Sequence, residues 1–192
     1  MERCPEPARP TYLAAVRASS TLHVSAAQLV CALVLVTSAG CGGGARLRGS
    51  VYRDDEASYR IGPVASSWTA LDVEGEGDLA WHDARAGAVI HVNASCDPGA
   101  DVPLTALTNH LLAGFTQREL VTEELVPLDG REALRTHVRA RFDGVPRELL
   151  LYVMKKNGCV YDLGLVTPTG AAFEDALLSF EPFVAGFSTE VR

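Results

Sequence analysis

Three two-residue turns set fourteen residues apart constrain this chain more than anything else in it: Asp129-Gly130, Asp143-Gly144 and Asn157-Gly158. Asp-Gly and Asn-Gly tolerate the positive φ that a type I′ hairpin turn requires at both central residues, and that turn's twist matches the twist of the strands it joins. The spacing predicts four antiparallel strands over 118–128, 131–142, 145–156 and 159–167, each beside its predecessor.

A two-residue turn also fixes the register, so cross-strand partners follow from the numbering. On one face Val121 meets Val138 and Leu149, and Leu125 meets Leu134 and Val153; this face reads as core. Glu123 opposite Thr136 is its awkward member and fits only a bulged or exposed edge strand. On the other face the second strand carries Arg135, His137, Arg139 and Arg141, while the next two carry Leu150, Tyr152, Met154, Tyr161, Leu163 and Leu165. A sheet that is apolar on both sides in its middle needs a layer on each.

Two segments can supply those layers. Leu104, Leu107, Leu111, Leu112 and Phe115 recur at helical spacing behind Asp101 and Pro103. Phe173, Leu177, Phe180, Val184 and Phe187 do the same over 169–187, where Pro182 predicts a bent pair of helices with Ser179 capping the second. Upstream, 78–82 and 88–93 alternate around a turn at 84–87, a hairpin that points Leu79, Trp81, Ile90 and Val92 inward. Short strands at 58–61 and 69–73 flank Gly62-Pro63. The expected class is α+β, an α/β/α sandwich whose central antiparallel sheet contains a four-strand meander and is flanked by two helical segments.

The run Tyr59-Arg60-Ile61-Gly62-Pro63, followed by Trp68, resembles the opening of domains related to the PsbP photosystem II extrinsic proteins. The closing Phe180-Glu181-Pro182-Phe183-Val184-Ala185-Gly186-Phe187 is similar to their terminal aromatic helix. The resemblance covers 58–188 and implies a sandwich fold used for binding and assembly more than for chemistry. It transfers no functional residue.

At the other end, Arg3, Arg9 and Arg17 precede an apolar core from Ala26 to Val36, and Ser38, Ala39 and Gly40 lead into Cys41. A positive leader, an apolar core and small residues before a cut make a secretory signal. The run Leu33 to Cys41 resembles a bacterial lipoprotein processing site, which implies diacylglycerol on the Cys41 thiol and cleavage before it. The alternative is a transmembrane helix, which wants about 20 apolar residues, whereas the run from Val24 to Ala39 is sixteen long and contains Gln28. Residues 1–40 are thus read as a signal peptide and 41–57 as a flexible tether, since Gly42-Gly43-Gly44 and the mixed charges after it cannot bury enough apolar area to order themselves. One globular domain follows over 58–190. By resemblance to other lipoproteins, Gly42 after Cys41 implies the outer membrane, with the domain facing the periplasm.

Without the leader the chain holds 14 basic and 22 acidic residues, a formal charge of −8. That balance argues against nucleic acid and against adhesion to anionic lipid without an anchor. Of the five cysteines, Cys96 and Cys159 alone are neither in the leader nor a lipid acceptor. In an oxidising compartment they are disulfide candidates, the alternative being two buried thiols.

Catalytic signatures are absent: no Gly-x-Ser-x-Gly, His-Glu-x-x-His, Cys-x-x-Cys, phosphate-binding loop or dinucleotide fingerprint occurs. No cofactor is implied. His82 and His91 fall on one face of the upstream hairpin, but only Asp83 or Asp78 can join them, and a metal site wants three or four ligands. The better candidate is Arg135, His137 and Arg139 beside Tyr152, where donors border an apolar wall suited to an anionic small molecule or an envelope protein. Against that, Glu124 falls beside Arg135 and Glu148 beside Arg139, so cross-strand pairing explains much of the row. The sequence therefore reads as a membrane-anchored envelope lipoprotein with a non-enzymatic binding or assembly domain. The alternatives are a hydrolase-type enzyme using His137, Tyr152 and Arg135, or a passive structural lipoprotein.

Overall fold

A computed structural model describes residues 46–73, 77–96 and 102–190. The leader and Cys41 lie outside the described residues, as do Asp101 and the tract 74–76. What is described is α+β: two antiparallel sheets and two helices.

The main sheet has seven strands in the order β4 (Thr69–Leu71), β5 (Leu79–Asp83), β6 (Ala88–Ser95), β10 (Cys159–Thr167), β9 (Val145–Lys156), β8 (Arg131–Phe142) and β7 (Thr116–Leu128). The smaller sheet runs β1 (Arg46–Arg48), β2 (Val51–Arg53), β3 (Ser58–Arg60) and β11 (Ser188–Thr189). Both central residues of each hairpin turn have positive φ: 48° and 72° at Asp129-Gly130, 49° and 77° at Asp143-Gly144, 55° and 81° at Asn157-Gly158.

These turns set the pairings Leu134 with Val153, Val138 with Leu149, and Arg139 with Glu148. β7 departs from the numbering. Its register shifts between Thr116 and Glu119 and again between Leu120 and Thr122, so that Leu120, not Val121, faces Val138. A β-bulge inserts an unpaired residue and bends the strand. Of the two expected core positions, Val121 falls at the bulge and is only half-buried, and Leu125, although opposite Leu134 as expected, is 58% exposed, as is Leu120 at 57%. β7 ends the sheet, and its bulges, together with Glu119, Glu123 and Glu124, protect the open edge from pairing with another chain.

Alternate residues of a strand point to opposite faces, and each face of β9 is covered by a different helix. Leu149 and Leu151 pack with Val138, Ala140 and Leu112 under α1 (Leu104–Leu111). Leu150, Tyr152 and Met154 pack with Phe173, Phe180 and Phe183 of α2 (Ala171–Ala185). The helix α2 is one helix with Pro182 inside it, not a bent pair. Proline removes a hydrogen bond to the carbonyl four residues back; here that residue is Leu178, 78% exposed on the solvent side of the helix.

Residues 46–57 also differ from the flexible tether expected over 41–57. β1 and β2 form a hairpin whose Tyr52 is buried and stacks on Tyr59, ring centroids 4.8 Å apart. Tyr59 in turn meets Phe187 at 5.7 Å and Tyr161 at 6.1 Å, which anchors the small sheet on the main one. One aromatic residue amid the charges outweighs the polar composition. The cysteines extend the β6–β10 ladder as a disulfide, Cα to Cα 4.0 Å.

The two segments that carry the PsbP resemblance touch each other. Gly62 donates its amide to the Phe183 carbonyl at 3.0 Å. A Cβ on Gly62 would collide with the carbonyls of Pro182 and Phe183, and one on Gly186 would collide with the Gly62 backbone. Glycine is required at both places because two main chains cross without room for a side chain.

Candidate functional site

The basic row of β8 lies on the α2 face, and its donors are engaged with acids. Arg135 donates from Nε to the Tyr152 hydroxyl at 3.0 Å and pairs with Glu124 at 3.2 Å and Glu181 at 3.6 Å. Burial works against its charge, but Tyr152, Glu181 and Glu124 outweigh it and hold the guanidinium pKa above its usual value. Tyr152 completes the link by hydrogen bonding to Glu181 Oε2 at 3.3 Å, and burial pushes its own pKa up.

Glu148 of β9 is the centre of the second half of the row. Its Oε1 lies 2.9 Å from His137 Nε2 and accepts from Arg139 Nε at 3.2 Å; its Oε2 accepts the Gly170 amide at 3.1 Å. Gly170 is the N-cap of α2 and offers no side chain for the purpose. The carboxylate of a neighbouring strand thus caps the helix and sits at the positive end of its dipole. The His137 ring stacks on Phe173 at 4.6 Å. The four residues singled out from the sequence are therefore brought together, but as a clamp between sheet and helix.

His82 and His91 do share a face, offset by two residue pairs along β5 and β6. Their proposed companions are committed elsewhere: Asp83 accepts the Arg85 and Ala86 amides, and Asp78 accepts from the Tyr59 hydroxyl at 2.9 Å and the Ala94 amide at 3.0 Å. His91 lies over Gly164, where a Cβ would collide with its ring, and its Nε2 is 3.7 Å from Asp162.

The opposite face of the sheet holds what the sequence reading missed. Between α1 and the edge strand β7 lies a cavity of about 240 Å³, floored by Thr136 and Val138 of β8 and walled by Thr108 and Leu112 on one side, Leu120 and Glu123 on the other. Thr108 and Thr136 are 2% and 1% exposed, and neither hydroxyl has a hydrogen-bond partner. Buried hydroxyls are normally paired. One signal of this place was present in the sequence: Glu123 opposite Thr136 is the pair that did not fit a core, and both residues line the cavity. A second hollow of about 620 Å³ is lined by Leu104, Leu125, Val126 and Pro127 together with Arg131, Glu132 and Lys155.

No family model matches the sequence, and no curated protein matches it. Solved structures do. LpqN of Mycobacterium tuberculosis, described as involved in cell envelope biogenesis, is 13% identical over 77% of this chain and 90% of its own, with a TM-score of 0.51. A protein of Bacteroides thetaiotaomicron is 12% identical over 70% of this chain, which spans 46% of that protein's length, with a TM-score of 0.51. The cyanobacterial PsbP protein of Synechocystis is 20% identical over 81% of this chain and 99% of its own, with a TM-score of 0.49. The likeness is one of fold. A protein of the PsbP family, whose resemblance was read from the motifs at Tyr59–Pro63 and Phe180–Phe187, is thus among the similar structures, and none of these identities is high enough to carry a site across.

Proposed function

We propose that this chain is a lipid-anchored lipoprotein of the bacterial cell envelope whose α/β/α domain binds or helps assemble another envelope component and performs no chemistry of its own. The observation that carries the reading is a conjunction: a domain of LpqN-like fold that begins five residues after Cys41, the end of a leader of lipoprotein type. Five residues span at most about 17 Å, so the anchor holds the domain beside the bilayer. Two acyl chains or more on one cysteine give stable attachment where one does not. The Cys96–Cys159 disulfide suits an oxidising compartment, and Gly42 favours the outer membrane, with the domain facing the periplasm.

The enzyme reading loses ground because His137, Tyr152 and Arg135 spend their polar atoms on Glu148, Glu181 and Glu124. A Tyr152 hydroxyl pushed above its usual pKa is a poor base at neutral pH.

Labelled palmitate tests the anchor. It should enter the wild-type protein and not Cys41→Ser, and a wild-type product recovered unlabelled in the cytosol at full length would refute it. Crosslinking in the native envelope followed by mass spectrometry tests the binding role: a reproducible envelope component is expected, and its loss in Arg135→Ala with Arg139→Ala would return the basic row to the binding surface.

A further inference from the structure

We propose that the α1 side of the domain rests on the bilayer that holds the lipid of Cys41, with Phe142 and Val145 of the β8–β9 hairpin tip and Leu120 and Leu125 of the edge strand entering the headgroup zone. The inference rests on the anchor proposed above and adds which face of the domain meets the membrane.

The large apolar side chains left in water are unevenly placed. Of the eight exposed ones among the described residues, six lie on the α1 side: Leu71, Val102, Leu120, Leu125, Phe142 and Val145. Leu71 follows Ala70, whose partner Trp81 packs on the α2 side, and so faces the other way. Leu120 lies opposite Val138 and Leu125 opposite Leu134, while Phe142 continues the row of Val138 and Ala140 under α1 and has Val145 as its partner. Val102 leads into α1. Phe142 and Val145, each 46% exposed, flank the Asp143-Gly144 turn, and Phe115 braces Phe142 with ring centroids 5.1 Å apart. A hairpin tip and a sheet edge enter a fluid bilayer as they are, whereas a folded partner has to bring a matching pocket to each. Contiguous apolar exposure of this kind marks an interaction surface.

Charge divides the two sides in the same sense. The helix α1 contains no Asp, Glu, Lys or Arg. Beside the tip stand Arg118, Arg141 and Arg147, none of which forms an ion pair among the described residues; Arg118 and Arg141 donate to the carbonyls of Phe115 and Gly144 at 2.9 and 2.7 Å. The acids next to them are Asp143 and Glu119, two against three. Arginines behind an apolar tip lay their stems along it and offer their guanidinium groups to lipid phosphates. On the other side α2 exposes Glu174 and Asp175, which an anionic leaflet repels.

Reach agrees. Asp129, in the turn at the far end of β8, holds the small sheet by accepting the Thr189 amide at 2.8 Å, and β8 has twelve residues, which places the tip roughly 40 Å from that end. The anchored chain enters the small sheet at Arg46. Tether and tip therefore touch one bilayer when β8 lies along its surface. Once the lipid has placed the domain there, the second contact is intramolecular and can be weak.

The test uses protein purified from the cell envelope, carrying Val145→Cys or Leu178→Cys labelled with a polarity-sensitive dye, in vesicles of phosphatidylethanolamine and phosphatidylglycerol. Cys96 and Cys159 are bonded to each other and take no dye. The dye at 145 should shift to the blue and be quenched by nitroxide-labelled lipid, and the dye at 178, the more exposed position, should do neither. Arg118→Gln, Arg141→Gln and Arg147→Gln should each lower the ratio of membrane-bound to unbound tip about fivefold, and salt at about 0.5 M should weaken the contact without any substitution. A dye at 145 that stays in water overturns the proposal, as does one at 178 quenched as strongly, or a contact that neither salt nor the arginine variants weaken. A dimer whose dye at 145 is shifted but not quenched would mean that a second copy covers this side, and would overturn it too. Flotation with phosphatidylcholine vesicles reads the anchor by itself: protein that does not float lacks it, and this proposal falls with it, whereas protein that floats with its dye in water refutes the tip alone.

Discussion

Replacing Glu148 with glutamine isolates the interaction that fixes α2 on the sheet. The carboxylate serves three donors, from His137, Arg139 and the Gly170 amide, with its side chain 4% exposed. A glutamine has one oxygen and an NH₂ group, so at least one of those donors must face another donor. A buried donor without an acceptor costs on the order of 1–3 kcal/mol, and the remaining bonds lose the assistance of the charge. Arg139 is half exposed and recovers part of its loss in water. Together these give roughly 3 kcal/mol at pH 7. The pH dependence supplies the stricter check. Burial alone would raise the Glu148 pKa, but the Gly170 amide, His137 and Arg139 outweigh it and hold it below its ordinary value of 4.5. A carboxylate with a depressed folded-state pKa stabilises the fold above its unfolded pKa and loses that contribution as pH falls through the folded value. Urea titrations followed by the fluorescence of the buried Trp68 and Trp81 should therefore show wild type well above Glu148→Gln at pH 7, with the gap closing below about pH 4. A difference under about 0.5 kcal/mol at pH 7, within the range of an ordinary surface substitution, would refute the clamp. A gap that widens toward acid would do the same.

Two further outcomes follow from named contacts. Reducing the Cys96–Cys159 bond, which spans 63 residues, should cost about 4 kcal/mol on the chain-entropy model, seen as a lower urea midpoint with reductant than without. Asp78→Asn should stabilise at pH 8 and leave stability unchanged at pH 4. Burial pushes Asp78 up to about 6, so as pH rises from the unfolded pKa of about 4 toward that value the unfolded chain releases its proton first and the fold loses stability, the loss being complete above about pH 6. Asparagine keeps an acceptor for the Tyr59 hydroxyl and the Ala94 amide, which share one oxygen. The gain is about 1–2 kcal/mol, below the full linkage value because Asp78 is only partly buried; equal midpoints at pH 8 would show that burial does not raise it.

Turn chemistry made the centre of the sheet legible. Asp129-Gly130, Asp143-Gly144 and Asn157-Gly158 determine their own φ values, so the pairing of Leu134 with Val153 and Val138 with Leu149 follows from counting. The bulge at Val121 was not legible, because nothing in the alternation of β7 distinguishes an extra residue from a regular one; its trace was the misfit of Glu123 against Thr136. Composition misled at residues 46–57, where Tyr52 supplies more buried area than the charges around it suggest. It misled again at Pro182, since helix continuity there depends on Leu178 facing water, a fact of tertiary placement.

The same distinction separates the two candidate sites. A row of arginines and a histidine draws the eye in a sequence because charge is visible in one-letter code, yet charge is also what the next strand or the helix packed above can neutralise, and Glu124 and Glu148 of the strands and Glu181 of α2 do so here. Two threonines on separate elements attract no notice, since threonine is ordinary in a strand and unremarked in a helix. Their meaning arises only when α1 and β8 bring Thr108 and Thr136 to one cavity and supply no partner to either. Among the described residues the buried side-chain atoms left without a partner are these two hydroxyls and Asn93 Oδ1; all three are neutral, as expected where an unmet charged group costs far more than an unmet neutral one.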